Sequence, residues 1–310
     1  MIVLFVLVSL MAASAAAMQS NNDAAIARGV RYLAVEVPKW KAEHPCYSCH
    51  NNGDATRALL VASAKGYDIG TALDDTLAFL KQPSRWNQTQ AAEGFDDKQL
   101  ARVQFASALA VAHGYGRAAR RDLESAVRLL IADQQPDGSW TLDQSQSIAS
   151  PATYGTLIAT WSARATLMVS GLPATHPGIA RADAWIRGVK PQNVIDCAAT
   201  ILALDRATDA AAEQLRNDCV ILLGSGQSRD GGWGPYVTTA PQVFDTAMAV
   251  LALSTIDRGD VRTATQRGKA YLVGQQRPDG SWPETTRPAD QESYAQRIST
   301  TGWALLALLR

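Results

Sequence analysis

The sequence predicts an all-α protein, an α/α toroid of about six helix–turn–helix repeats with an inner and an outer ring of helices. Three observations carry this. A turn containing Gln, Asp-Gly and Trp recurs along the chain. Helical runs that are apolar on every side alternate with runs that keep a polar face, the pattern expected when one set is enclosed by the other. The composition is globular, 47% hydrophobic and 19% charged over 310 residues, and rich in Ala, Leu, Arg and Gln, which lose little on entering a helix. Lys and Arg (29) balance Asp and Glu (29), so no basic footprint for nucleic acid is expected. Four cysteines in a chain this long are too few for a disulfide scaffold.

The first element is an address. Ile2 to Ala17 is almost continuously apolar, shorter than the roughly 20 residues a spanning helix needs. Ala15-Ala16-Ala17 then offers a small-residue cleavage site. Residues 1–17 are expected to be a signal peptide, although no Lys or Arg precedes the apolar run. Residues 18–310 are expected to form a single toroid in the periplasm or otherwise outside the cytoplasm, with no membrane span after cleavage.

The repeats follow. Gln134-Gln135-Pro136-Asp137-Gly138-Ser139-Trp140 returns as Gln275-Gln276-Arg277-Pro278-Asp279-Gly280-Ser281-Trp282, with the variant Gln227-Ser228-Arg229-Asp230-Gly231-Gly232-Trp233. Trp233 and Trp282 are 49 residues apart, and Trp140 and Trp233 are 93 apart, close to two periods with one degenerate copy between. Trp86 and Trp40 extend the series upstream, in segments lacking Asp-Gly. In each unit Asp-Gly supplies a tight turn and the Trp packs on neighbouring helix ends. Inner helices such as 244–253 are apolar throughout, whereas the run 117–133 has a polar face. The last segment, 301–309, is as apolar as the middle ones. An open solenoid needs polar caps at its ends, so the ring is expected to close.

These Q-x-x-(x)-D-G-[SG]-W turns resemble the QW repeats of the terpenoid cyclase and prenyltransferase superfamily, whose fold is an α/α barrel. The resemblance covers most of the chain after residue 17 and implies the fold more strongly than the chemistry. Squalene–hopene cyclases protonate an alkene with the middle Asp of D-x-D-D-T-A. The matching stretch here is Gln242-Val243-Phe244-Asp245-Thr246-Ala247, with Phe244 in the acid's place. Ile195-Asp196-Cys197-Ala198 faintly resembles the D-C-T-A of oxidosqualene cyclases, in which Asp is the acid. Asp196 and Cys197 are adjacent, so the zinc-ligand spacing of protein prenyltransferases is missing, as is an aspartate-rich diphosphate motif. Asp196 and Asp245 are therefore weak catalytic candidates, and an apolar or isoprenoid ligand in the lumen is a further expectation.

Aligning the inner helices by their L-A-L ends places Asp54, Gln104, Ser162, Asp196, Asp245 and Thr300 at equivalent positions near helix starts. They read either as a polar ring at one mouth or as first-turn caps and dipole partners.

The other chemical motif is Cys46-Tyr47-Ser48-Cys49-His50, the C-x-x-C-H pattern of c-type haem attachment. Two thiols at this spacing reach both vinyl groups, and the adjacent imidazole lies under the iron. One covalent haem c per chain is expected, with His50 as proximal ligand, Arg57 pairing with a propionate, and the motif forming an insert at 44–53 in the first repeat. Met248 is the weak distal candidate. His113 and His176 fall at the other mouth, His44 is too near in sequence, and a five-coordinate iron is the remaining option. Zinc held by His44, Cys46, Cys49 and His50 is the competing reading, and a plain disulfide or chance is another. Cys197 and Cys219 are expected near one another, as a disulfide or as two buried thiols. The leading functional expectation is an exported mono-haem protein acting in electron transfer or sensing with a redox partner protein. The alternatives are an enzyme acting on an isoprenoid or other lipid in the lumen, and a non-catalytic binding or scaffold protein.

Overall fold

The computed structural model describes residues 2–44, 46–88, 97–142 and 148–310, with backbone alone for 2–18. The side chains of the expected signal segment thus lie outside the described residues. The described chain is helical, without strands. The helices are α1 (Ile2–Glu43), a π-helical turn π1 (Cys49–Ala55) running into α2 (Thr56–Ala64), α3 (Asp74–Leu80), α4 (Lys98–Gly114), α5 (Arg120–Asp133), α6 (Gly155–Val169), α7 (Pro177–Gly188), α8 (Val194–Ala203), α9 (Ala210–Gly226), α10 (Val243–Leu253), α11 (Gly259–Gln275) and α12 (Tyr294–Leu308). Among the described residues no helix is long and apolar enough to cross a membrane.

The inner ring is π1–α2, α4, α6, α8, α10 and α12. Each packs on the next, and α12 returns to π1 and α2, so the ring closes as the sequence leads one to expect. The outer helices α3, α5, α7, α9 and α11 each lie on an inner helix, while α1 lies on α12, α2 and α11. Residue pattern explains the division. In α10 all eleven residues from Val243 to Leu253 are buried, as befits a helix surrounded by helices. In α5 only Leu123, Ala126, Val127 and Leu130 are buried, one stripe at helical spacing.

The repeated turn is a clamp between successive outer helices. Gln276 Nε2 donates to Gly280 O within its own turn (3.0 Å) and to Ala25 O of α1 (2.9 Å). Its Oε1 accepts from the Arg28 guanidinium at 2.6 Å. Gln134 makes the same set with Gly138, Gly178 and Arg181 of α7, and Gln227 with Gly231, Ala264 and Arg267 of α11. The Trp six residues on points inward. The Trp282 indole N–H donates to Leu272 O (2.6 Å), and its backbone N–H donates to Thr301 Oγ1 (3.0 Å). Trp140 and Trp233 repeat this with Leu130 and Thr160, and with Leu223 and Thr246. Each Trp thus ties an outer helix end to an inner helix while every polar atom it buries finds a partner. Trp40 does not join this series. It lies inside α1, stacked on His44 with ring centroids 4.2 Å apart.

Gly280 shows why the turn cannot carry a side chain. Its φ is +93°, and a Cβ would stand 2.5 Å from Arg28 O. Gly274, in the preceding exposed helical stretch, has nothing within 4 Å. Gly280→Ala is expected to destabilise the protein well beyond the ordinary Gly-to-Ala effect, whereas Gly274→Ala stabilises by about 0.5–1 kcal/mol. Trp282→Ala is expected to cost about 3–5 kcal/mol. Chemical denaturation of the three variants orders them.

Candidate active site at one mouth of the ring

The site forms where π1 packs against α4 and α12. π-helical turns are rare and concentrate at functional positions. Asp54, in π1, is fully buried and accepts from five donors. Its Oδ2 takes Gln104 Nε2 from α4 (2.9 Å), Trp303 Nε1 from α12 (3.0 Å) and the Ser299 hydroxyl, also from α12. Its Oδ1 takes the Tyr154 phenol and, at 3.3 Å, Arg57 Nη1. Burial raises the Asp54 pKa above the ordinary carboxylate value, against the opposing pull of Arg57, Ser299, Tyr154 and Trp303. Burial, reinforced by the Asp54 carboxylate, also raises the Tyr154 phenol well above its usual value. Ser299 and Tyr154 hydroxyls can each accept as well as donate, so the cluster accommodates a proton on Asp54 without orphaning a partner.

Tyr154 is held there by an unusual backbone. It precedes α6 with φ +52°, a conformation a bulky residue adopts only when its surroundings impose it. Its ring lies 5.8 Å from Trp303 in an edge-on arrangement, and the Phe244 ring lies 5.6 Å from the same indole. The Arg57 guanidinium sits 4.5 Å from the Trp303 ring centre. Three aromatic rings therefore gather beside a buried carboxyl.

The predicted polar ring is partly assembled. Asp54 and Gln104 meet as expected. Ser299, one position before the expected Thr300, reaches the carboxyl, while Thr300 Oγ1 accepts from the Thr285 N–H (3.1 Å). Ser162 lies seven residues into α6, so Tyr154 supplies that helix's contribution instead. Asp245 is fully buried and bound through both oxygens by Arg287 Nη2 (2.7 and 2.9 Å). Asp196 is held by Asn193, whose Nδ2 donates to it at 2.8 Å. Burial raises the pKa of Asp196, and it raises that of Asp245 to about 7 against Arg287. Neither touches the Asp54 cluster. Tyr154, Ser299 and Trp303 carried no motif. Their available signals were a Tyr directly before a helix-starting Gly and the one Trp within an otherwise aliphatic inner run.

The cysteine motif lies beside this cluster. Cys49 and His50 open π1, with Cys49 Sγ 3.4 Å from His50 Nδ1. Burial lowers the His50 pKa to about 4. Arg57, expected at a haem propionate, is spent on Asp54 and Tyr154. Met248 is buried in the hydrophobic core of α10. His113 Nδ1 lies 3.0 Å from Ala118 O, and His176 Nδ1 accepts from the Gly178 N–H (3.1 Å) to cap α7. His44 stacks on Trp40. Among the described residues no three His, Cys, Asp or Glu side chains converge as a metal would require, so the zinc set is not brought together. Cys197 and Cys219 are buried free thiols.

This architecture is an α/α toroid, similar to that of solved terpene cyclases. Residues 192–310 match the squalene-hopene cyclase C-terminal domain. The chain is 30% identical over 173 residues to drimenyl diphosphate synthase of Streptantibioticus cattleyicolor, covering 53% of this chain and 32% of that protein. It is 38% identical over 85 residues to mouse (Mus musculus) lanosterol synthase, covering 24% and 11%. The chain thus spans about a third or less of these curated relatives. Among solved structures, type II terpene cyclase MstE from Scytonema superposes over 94% of this chain and 98% of its own, with TM-score 0.65 and 14% identity. The same cyclase, as a variant, has been solved with geranylgeranyl dihydroxybenzoate as substrate. These likenesses correct the leading expectation. The chain resembles isoprenoid cyclases, so the cytochrome c and electron-transfer reading, with its redox partner, is withdrawn. The physical reason is that Cys49 and His50 open the first inner turn: His50 is enclosed there and Arg57 is committed to Asp54.

The Asp245 pKa of about 7 lies above its unfolded value of 3.8, so folding favours its protonated form. That contribution is complete below about pH 4 and is lost as pH rises through 7. Asp245→Asn is expected to lose less stability than the wild type between about pH 4.5 and 7.5, as measured by denaturation at both pH values.

Proposed function

We propose that the protein is an enzyme that cyclises a linear isoprenoid by proton-initiated chemistry, with Asp54 as the acid. The observation that carries this is the fully buried Asp54 carboxyl, with raised pKa, set beside three aromatic rings at the mouth of a cyclase-type toroid. Burial, which favours the protonated carboxyl, suits Asp54 to the role of proton donor. Asp54 protonates a terminal alkene, leaving a tertiary carbocation that neighbouring double bonds attack in turn. The last cation loses a proton, so the overall change is an isomerisation. Trp303, Phe244 and Tyr154 supply aromatic rings, which stabilise a developing positive charge nearby, and burial excludes the water that would quench it. The acid comes from π1 in the first repeat rather than from α10, where Phe244 replaces it. Phe244 and Asp54 nevertheless meet the same indole. The apolar first 17 residues favour an exported enzyme.

Purified protein incubated with linear polyprenyl substrates of graded length is expected to give cyclic isomers, each carrying one deuterium when the buffer is D₂O. Asp54→Asn is expected to lower turnover by about 10²–10⁴-fold, with Tyr154→Phe as a gentler second variant and melting curves as the folding control. Absence of cyclic product from every substrate, or full activity in folded Asp54→Asn, refutes the assignment.

A further inference from the structure

The proposed reaction makes no use of Cys197 and Cys219, which are 2% and 1% exposed and belong to one continuous hydrophobic core. Cys197 lies in the first half of α8 and Cys219 in the second half of α9, and these helices pack on each other. Two contacts fix their register. At the start of α8, Val194 faces Gly226 at the end of α9: a Cβ on that glycine would stand 3.4 Å from Val194 Cγ2. Past the end of α8, the Arg216 guanidinium of α9 donates to Ala207 O at 2.6 Å and to Leu204 O. The helices therefore run antiparallel. Cys197 lies between Val194 and Leu204, and Cys219 between Arg216 and Gly226, so both cysteines fall inside the bracketed stretch. Val194 and Cys197 are three apart and Cys219 and Gly226 seven apart, spacings that share a helix face. Side chains on these faces meet: contact with the Cys197 thiol, followed by burial, raises the Cys219 thiol well above its usual value.

We propose that Cys197 and Cys219 are a disulfide site, joined while the chain folds, so that the bridge ties inner helix α8 to outer helix α9. Cys219 follows Cys197 by 22 residues, so the two helices meet as a local hairpin with a short loop to close. The oxidant is a disulfide, R–S–S–R, of the compartment into which the chain is exported. In the open chain both thiols have ordinary acidity. The Cys219 thiol loses its proton to water, and the thiolate attacks one sulfur of R–S–S–R, giving Cys219–S–S–R and RS⁻. The Cys197 thiolate, formed in the same way, attacks Cys219 Sγ and expels the second RS⁻. The two RS⁻ take up the two protons. The cysteine pair is oxidised by two electrons and R–S–S–R is reduced by two, to 2 RSH. Folding sets the time at which this occurs. Once α8 and α9 are enclosed, both sulfurs are shut off from solvent and Cys219 is held as the thiol, which does not attack. Oxidation therefore belongs to the folding chain, and a pair that folds reduced stays reduced. The oxidant rests on the export reading of the first 17 residues, whereas the site itself is independent of the isoprenoid reaction.

In the test the full chain is unfolded and reduced, then refolded with oxidised and reduced glutathione in graded ratios, and read by alkylation, intact mass and non-reducing peptide mapping. A Cys197–Cys219 bridge is expected, two hydrogens lighter than the reduced protein, with a denaturation midpoint above that of protein refolded reduced. Oxidised glutathione added after reduced refolding is expected to leave both thiols free. Cys219→Ala, with Cys197→Ala as the second variant, is expected to lose the bridge and to show one midpoint with or without oxidant, while Cys46→Ser and Cys49→Ser keep both the bridge and its shift. Free Cys197 and Cys219 after refolding at every ratio, a bridge to Cys46 or Cys49 in their place, equal midpoints for the bridged and reduced proteins, or rapid oxidation of the folded reduced protein would each overturn the proposal. Isoprenoid turnover is read separately, so either reading can fail without the other.

Discussion

The rest of the structure depends on closing the ring. Helices that are apolar on all sides have no stable exposed face, and a linear stack would leave its two terminal members bare to water. Packing α12 against π1 and α2 removes both ends at once. The clamp that accomplishes this on the outside is the same one used internally: Gln276 holds Arg28 and Ala25 of α1 as Gln134 holds α7. Repetition of one hydrogen-bond set, with a Trp satisfied on both its N–H groups, turns a local turn into a circular structure.

Closure also assembles the Asp54 cluster. The inner helices are buried on every side, so the polar residues they carry must be paired once water is excluded. Around Asp54 five donors from four segments meet one carboxyl, and burial biases that carboxyl toward its protonated form. Asp245 meets a different fate, because Arg287 alone takes both its oxygens. Two buried carboxylates in one ring are thereby separated by their partners. One is locked to a guanidinium. The other lies among hydroxyls, an amide, an indole and a single longer guanidinium contact.

The fold was legible because its determinants are local. The Gln, Gly and Trp of each turn are close in sequence, and the alternation of fully apolar with one-faced helices is visible without tertiary knowledge. The site was only partly legible. Asp54 and Gln104 could be placed by counting back from helix ends, but one position of register on α12 exchanged Thr300 for Ser299, about 100° around a helix. Tyr154 reaches Asp54 through a left-handed backbone step that residue type did not announce. The functional expectation erred for a related reason. The spacing of Cys46, Cys49 and His50 is a sound short-range pattern, but the commitment of Arg57 to Asp54 and the enclosure of His50 are set by distant residues.

The Asp54 cluster spans almost the whole chain. Ser299 and Trp303 lie 245 and 249 residues beyond the carboxyl they hydrogen-bond. During synthesis π1 emerges well before α12, so the Asp54 carboxyl stays hydrated until α12 has followed it. A ribosome product lacking α12 has neither a sealed interior nor a complete set of donors for its carboxyl. Arrival of α12 is therefore the step that separates an open intermediate from one able to assemble the cluster.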